Sequence, residues 1–347
     1  MAGRIVVAGA GAVGASIAYH LALLGARDVV LADRAEIASG ATGKAMGGVR
    51  QQFSTPEEVA LARASVPLFR ELGSPLFDPV GYLFVATTEE GRVRLIERAE
   101  LQRGLGVPVE DVDPSSVEGL RADDVLTAVI CREDGVAEPA EVTRELVRRA
   151  AEGGVDVRER TDARAIPHDV LVVAAGASSA ELVPELPVRP LCRQLVDVGP
   201  VDGLPADLPM VIEEETGFHF RRRADTLRLA MPEPAPRWGA DEVVDDSIVE
   251  DKRLRLAHRY PPGADAPIVR AWAGLYDMTP DAHPIIGWVG EGMYAACGFS
   301  GHGFMQAPAV GRAVAEELLG RELSVDLSPY RLERFAGDPT FPETLVL

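Results

Sequence analysis

The chain has 347 residues, 47% of them hydrophobic, enough for a sizeable core and more than one compact domain usually needs. Lys and Arg total 35 against 54 Asp and Glu, a net charge of −19, and such a surface repels nucleic acid and anionic membranes. Cys131, Cys192 and Cys297 are odd in number and far apart, and the histidines are scattered, so neither a disulfide framework nor a metal site is expected, and a reducing cytoplasmic setting is.

Ile5-Val6-Val7 is a β-branched run that reads as a buried strand, and Gly9-Ala10-Gly11-Ala12-Val13-Gly14 follows it at once. Ala15 to Leu24 has helical spacing, Gly25 stops it, and Val29-Val30-Leu31 is a second strand closed by Asp33. Strand, G-x-G-x-x-G, helix, strand and acid in that order make the dinucleotide fingerprint. Gly9 permits the turn, Gly11 admits a pyrophosphate to the backbone, and Gly14 lets helix and strand pack. The helix N-terminus offers free N–H groups to the phosphates, and Asp33 accepts from ribose hydroxyls. Ile5 to Ala26 contains no Asp, Glu, Lys or Arg, so its length would also allow a membrane span or signal peptide. The glycines and the acid-tipped second strand argue against both.

Ser39 to Arg50 reads as a loop of small residues, including Thr42, Gly43, Lys44, Ala45, Met46, Gly47 and Gly48, able to approach a flat or phosphorylated ligand closely. Pro56 to Leu72 is predicted as a helix with Glu57 and Glu58 at its positive end. Strands are expected at Val80–Thr87 and Leu126–Cys131, helices at Glu89–Arg103 and Pro139–Glu152, and an extended stretch at Val155–Arg158. Asp169 to Ala177 is an apolar strand ending in small residues, as a central parallel strand facing a ligand would be. Val188 to Ala230 reads as an antiparallel sheet, Pro232–Gly239 as a connection, and Asp245–His258 as a charged amphipathic helix. Finally, strand Met293–Cys297 leads through Gly298-Phe299-Ser300-Gly301-His302-Gly303-Phe304-Met305 into a helix from Gln306 to Leu319. Two glycine-rich turns at opposite ends of the chain suit a cofactor with two separated polar ends better than a nicotinamide.

These motifs, with Gly40-Ala41-Thr42-Gly43-Lys44, Ala174-Ala175-Gly176-Ala177, Trp272-Ala273-Gly274-Leu275 and Pro280-Asp281, resemble the FAD-dependent amine oxidoreductases that include D-amino acid, glycine and sarcosine oxidases. Ser300 to Met305 with Ala307-Pro308-Ala309-Val310-Gly311 looks most like the sarcosine oxidase β subunit and dye-linked L-proline dehydrogenase. The resemblance implies an α/β fold: a Rossmann-type FAD-binding domain (residues 1–75, 135–185 and 270–347) with an inserted, α+β, antiparallel-sheet substrate domain (76–134 and 186–269). It puts adenosine at Asp33 and Arg34, pyrophosphate along Gly9, Gly11, Ala12, Val13 and Gly14, and the flavin ring between Thr42–Gly48 and Gly301–Met305. Ser39, Ala163, Ala175, Gly176 and Gly274 complete the implied FAD site. Gly274 stands where monomeric sarcosine oxidase has its flavin-linking cysteine, so the FAD would be noncovalent.

Arg50 is the candidate for the substrate carboxylate, since a guanidinium can hold both oxygens; a surface or FAD-phosphate role stays open. Tyr276 would bind that carboxylate or wall the pocket. His302, between glycines, suggests backbone contact with flavin, and Lys44 would neutralise the cofactor. His219 opposes Phe218 and Phe220 on a predicted strand, with the pocket-facing side undecided. Met305 replaces a lysine of sarcosine oxidase, and Arg228 aligns loosely with its oxygen-activating lysine. The implied activity is oxidation of the C–N bond of a small or N-alkyl amino acid by hydride transfer to flavin, with oxygen or a quinone- or dye-type acceptor. The competing readings are a D-amino acid oxidase or dehydrogenase, a nicotinamide enzyme, and a non-catalytic flavoprotein subunit or assembly factor; homo- or hetero-oligomers are open.

Overall fold

The computed structural model describes residues 3–337 and 342–347. Its first layer is a six-stranded sheet in the order β17 (Ile285–Gly290), β18 (Met293–Cys297), β10 (Val170–Val173), β1 (Ile5–Ala8), β2 (Val29–Ala32) and β9 (Asp156–Arg158). All pairs are parallel except β17 with β18. Side-chain alternation explains the continuous apolar runs: Ile5 and Val7 enter one core, Val6 and Ala8 another on the opposite face. Helices α1 (Ala12–Leu23), α5 (Pro139–Glu152) and α8 (Gly303–Leu318) cover the first face, with α3 (Pro56–Leu72) against α8.

The second layer is a nine-stranded sheet in the order β15 (Arg237–Trp238), β11 (Arg189–Val198), β14 (Thr226–Ala230), β13 (His219–Arg223), β12 (Met210–Glu213), β5 (Tyr82–Ala86), β7 (Thr127–Cys131) and β6 (Val109–Asp111), with β16 (Ile268–Met278) also paired to β11. Phe218 and Phe220 point into its outer core, which lies under α7 (Asp246–Arg259), while α4 (Glu89–Gly104) packs on β5. A small sheet of β3 (Gly48–Val49), β8 (Gly135–Ala137) and β4 (Phe77–Asp78), with the single-turn helices α2 (Ala41–Lys44) and α6 (Ser179–Leu182), completes the regular structure.

Several expectations need correction. The Ser39–Arg50 stretch is not one loop, because α2 and β3 form inside it. The substrate sheet is not wholly antiparallel: β12 runs parallel to β5, joined only through distant chain. The connection Pro232–Gly239 contributes β15. Strand β16 crosses the boundary drawn at residue 270 and hydrogen-bonds into the nine-stranded sheet from Arg189↔Met278 to Val198↔Ile268. Helix α8 starts at Gly303 rather than Gln306, so of the Gly-His-Gly-Phe motif His302 is the N-cap and Gly303 and Phe304 open the first turn.

Candidate active site

One cavity of about 700 Å³ runs from the end of β2, past the first glycine turn, to the inner face of the nine-stranded sheet. At its first end Gly9 adopts φ +112°, a conformation that favours glycine, and a Cβ there would meet the Ala174 carbonyl oxygen at 2.3 Å. Gly14 faces inward instead: a Cβ would come 1.9 Å from the Gly9 oxygen. Gly14 is thus the close helix–strand contact of the turn and is not among the residues that line the cavity. Gly11 differs from both, since a Cβ there would meet only Thr42 Oγ1 at 3.1 Å and would project into open cavity. That is the room a pyrophosphate needs. The α1 N-terminus carries no acidic residue in its first turn, and the Ala12 N–H donates to Thr42 Oγ1 at 3.0 Å.

Asp33 accepts the Ala10 N–H at 2.7 Å and the Ala35 N–H at 2.7 Å, which ties the turn to the strand end. A carboxylate has further lone pairs, so it keeps acceptor capacity for a ribose. Arg34 is drawn to Glu181 (2.9 Å) and Ser178 (2.6 Å) at the rim. Ser39, Thr42, Lys44, Ala45, Met46, Gly47, Gly48, Ala163, Ala175, Gly176 and Gly274 all line the same cavity. Lys44 is paired with Glu242. None of the three cysteines lines it.

Gly301, His302, Gly303, Phe304 and Met305 form the opposite wall. Gly301 has φ +96°, and a Cβ would lie 2.4 Å from the Tyr276 ring, so glycine brings this loop against that tyrosine. Behind the wall stands Glu58. Thr55-x-x-Glu58 looks like a capping box, and Thr55 Oγ1 does accept the Glu58 N–H at 3.4 Å. The Glu58 carboxylate turns away instead, to His283 Nδ1 at 2.7 Å and to Gln306 Nε2, with His302 Nδ1 at 3.9 Å. Burial pushes this carboxyl upward against those hydrogen bonds. It fastens α3 to the start of α8 and so positions the wall.

The far end gathers residues from distant parts of the chain. Arg50 is buried, stacks 4.0 Å from the Phe53 ring centroid, and donates to the Gln52 and Leu345 carbonyls, the latter at 2.9 Å. Tyr276 donates to the Leu347 backbone oxygen at 2.8 Å. Burial raises the Tyr276 pKa, so it stays a phenol. His219 faces the cavity because its neighbours fill the outer core; burial lowers its pKa to about 4 and leaves it neutral, with Nδ1 2.8 Å from the Gly217 carbonyl. Met305 presents an apolar surface. Arg228 does not reach the cavity: Asp197 holds it at 2.8 and 3.0 Å.

Sequence reasoning missed Arg193, Tyr82, Met210, Glu242 and Leu347, all of which line the cavity. Arg193 had a usable signal, since it is a charged residue on the same strand face as the buried apolar residues Leu191 and Leu195. Leu347 had none, as its contact is purely tertiary.

Residues 4–317 match the family model described as FAD dependent oxidoreductase. The FAD-dependent oxidoreductase domain-containing protein 1 of Bos taurus is 29% identical over 95% of this chain and 84% of its own. The glycine oxidase of Pseudomonas aeruginosa is 28% identical over 95% of this chain and 98% of its own. The crystal structure of L-proline dehydrogenase from P. horikoshii superposes with a TM-score of 0.89 at 27% identity, covering 96% of this chain and 97% of that one. With a dinucleotide turn, a second glycine turn and one cavity joining them, this chain belongs to the FAD dependent oxidoreductase family.

Proposed function

We propose that this chain oxidises the C–N bond of a small amino acid or N-alkyl amino acid to an imine, which then hydrolyses in water. The observation that carries the reading is one cavity connecting the Gly9–Val13 turn to a buried arginine, Arg50, that accepts no carboxylate partner within ion-pair distance among the described residues. FAD, when bound, supplies the two-electron acceptor. Asp33 and Arg34 would hold its adenosine end, Gly9 to Val13 its pyrophosphate, and Thr42–Gly48 with Gly301–Met305 its ring. No cysteine lines the cavity, which supports noncovalent binding, and acid precipitation should leave the flavin in the supernatant.

Arg50 orients the substrate carboxylate through its guanidinium fork and Tyr276 adds a hydroxyl donor. Neutral His219 adds no charge of its own beside the amine. The first N–H groups of α8, at Gly303 to Met305, favour negative charge on the wall they face. Tyr82, Met210, Phe304 and Met305 keep the reacting region poor in water. The test is anaerobic mixing of the yellow protein with a panel of N-methyl, cyclic, L- and D-amino acids. Bleaching of flavin absorbance by at least one is expected, and no bleaching by any would overturn the reading.

One observation favours a second reading, a flavoprotein without turnover. The Leu345 and Leu347 backbone oxygens already take hydrogen bonds from Arg50 and Tyr276, the two groups a substrate carboxylate would use. Under that reading the panel fails while the flavin stays bound.

A further inference from the structure

Two guanidinium groups converge on Tyr276. Arg193 lies 5.6 Å from its ring centroid, and Arg50 acts on the same phenol. Both arginines line the cavity, and both act on His219. Their charges are incompletely matched. Glu343 and Asp134 act on Arg50 electrostatically without forming an ion pair with it, and both are engaged elsewhere. Glu343 accepts from Ser54 and the Leu345 N–H, and Asp134 from Gln51 and Gln52.

Arg193 does have a partner, but a shared one. Glu233 Oε2 takes Arg193 Nη1 at 2.8 Å, while Oε1 takes the Gln194 N–H at 3.0 Å and faces Lys252 Nζ at 3.9 Å. The side chains of Glu233 and Lys252 are fully buried, so solvent does not make up the difference. Arg193 Nε and Lys252 Nζ are themselves buried without a hydrogen-bond partner. Burial lowers the Lys252 pKa to about 8, which still leaves it mostly charged at neutral pH. Among the described residues Glu233 is the one carboxylate within ion-pair distance of both cations, with Asp251 acting on Lys252 from farther off, and buried charge so thinly matched is costly until an anion arrives.

We propose that the substrate carries two anionic groups, one held by Arg50 and a second held by Arg193 with Lys252 behind it. The preferred substrates are then dicarboxylic amino acids or N-carboxyalkyl amino acids. As a statement about substrate, this rests on the C–N oxidation proposed above; as a statement about anion binding, it does not.

The experiment therefore uses anions that cannot react. FAD-loaded protein is titrated with malonate, succinate and glutarate, and with acetate, propionate and butyrate, following perturbation of the flavin spectrum. The best dianion is expected to bind about tenfold or more tighter than the monoanion of equal length, the size of one charged hydrogen-bonded contact. Arg193→Gln should collapse that ratio to near one, and Arg193→Lys should retain part of it. Equal binding of dianions and monoanions by the wild-type protein overturns the second anion site, whatever the variants do. Loss of both ligands alike in Arg193→Gln, with the ratio kept, also overturns it. Efficient oxidation of monocarboxylic amino acids beside equal anion binding would remove this proposal and leave C–N oxidation standing. Tight dianion binding without flavin reduction by any amine would do the reverse.

Discussion

At the scale of the residue, Arg50 is the side chain on which substrate recognition turns. It is buried and hydrogen-bonded only to carbonyls in the contacts described above, so its charge is available to an incoming carboxylate. A charged hydrogen bond of this type contributes about 1.5–3 kcal/mol. Arg50→Ala is therefore expected to weaken apparent affinity for the best amino acid by about ten- to a hundredfold, with FAD content intact. Arg50→Lys should restore only part, because an ammonium keeps charge but loses the two-pronged geometry. Flavin reduction by the amino acid and by its decarboxylated amine is the measurement. If Arg50→Ala slows both equally, or empties the flavin site, Arg50 serves the cofactor instead.

At the scale of the element, the first strand–turn–helix unit separates two kinds of glycine. Gly11 borders open cavity, whereas Gly14 abuts the Gly9 carbonyl at a distance no Cβ tolerates. Gly11→Val should leave a folded protein that purifies with little FAD, since branched carbons would occupy the phosphate space. Gly14→Val should instead force α1 away from β1 and yield insoluble or strongly destabilised chain, by several kcal/mol on the scale of severe overpacking. Flavin absorbance per polypeptide and thermal unfolding distinguish the two. Full flavin occupancy in Gly11→Val would remove the turn from the cofactor site. The same scale explains Glu58, whose position in α3 suggested a helix cap. Its carboxylate reaches His283 and Gln306 instead, because satisfying buried donors across α3 and α8 outweighs a cap that Thr55 already supplies from its side.

At the scale of the whole molecule, the cavity decides how electrons leave. Among its described lining residues Lys44 is the one lysine, and Glu242 holds it. Met305 is apolar, and Arg228 is locked to Asp197 outside the cavity. A reduced flavin reacts with oxygen through developing negative charge, which a cation set against the ring favours; Arg50 and Arg193 also line the cavity, but in the reading above they serve the substrate anions and not the ring wall. Reoxidation by oxygen is thus expected to be slower than by a quinone or dye by about tenfold or more, the order of effect that losing one electrostatic contact commonly has. Stopped-flow reoxidation checks this, and hydrogen peroxide formed as fast as the dye is reduced would show the inference wrong.

Local chemistry made a good part of this protein legible in its sequence. The glycine turn, α3 with its proline and glutamates, and the strand β10 each depend on spacing within one element, so they could be read without neighbours. The motif spacing also carried the FAD assignment. Alternation told that His219 opposes Phe218 and Phe220, yet a period of two says nothing about which side is core. That side was decided when the phenylalanines packed under α7. The pairing of β16 with β11, the placing of Arg193 opposite Gly274, and the lodging of Leu345 and Leu347 beside Arg50 and Tyr276 were likewise tertiary outcomes. Each joins segments far apart in the chain, where pairing is chosen by competition among all buried surfaces and hydrogen-bond partners and not by any pattern within one segment.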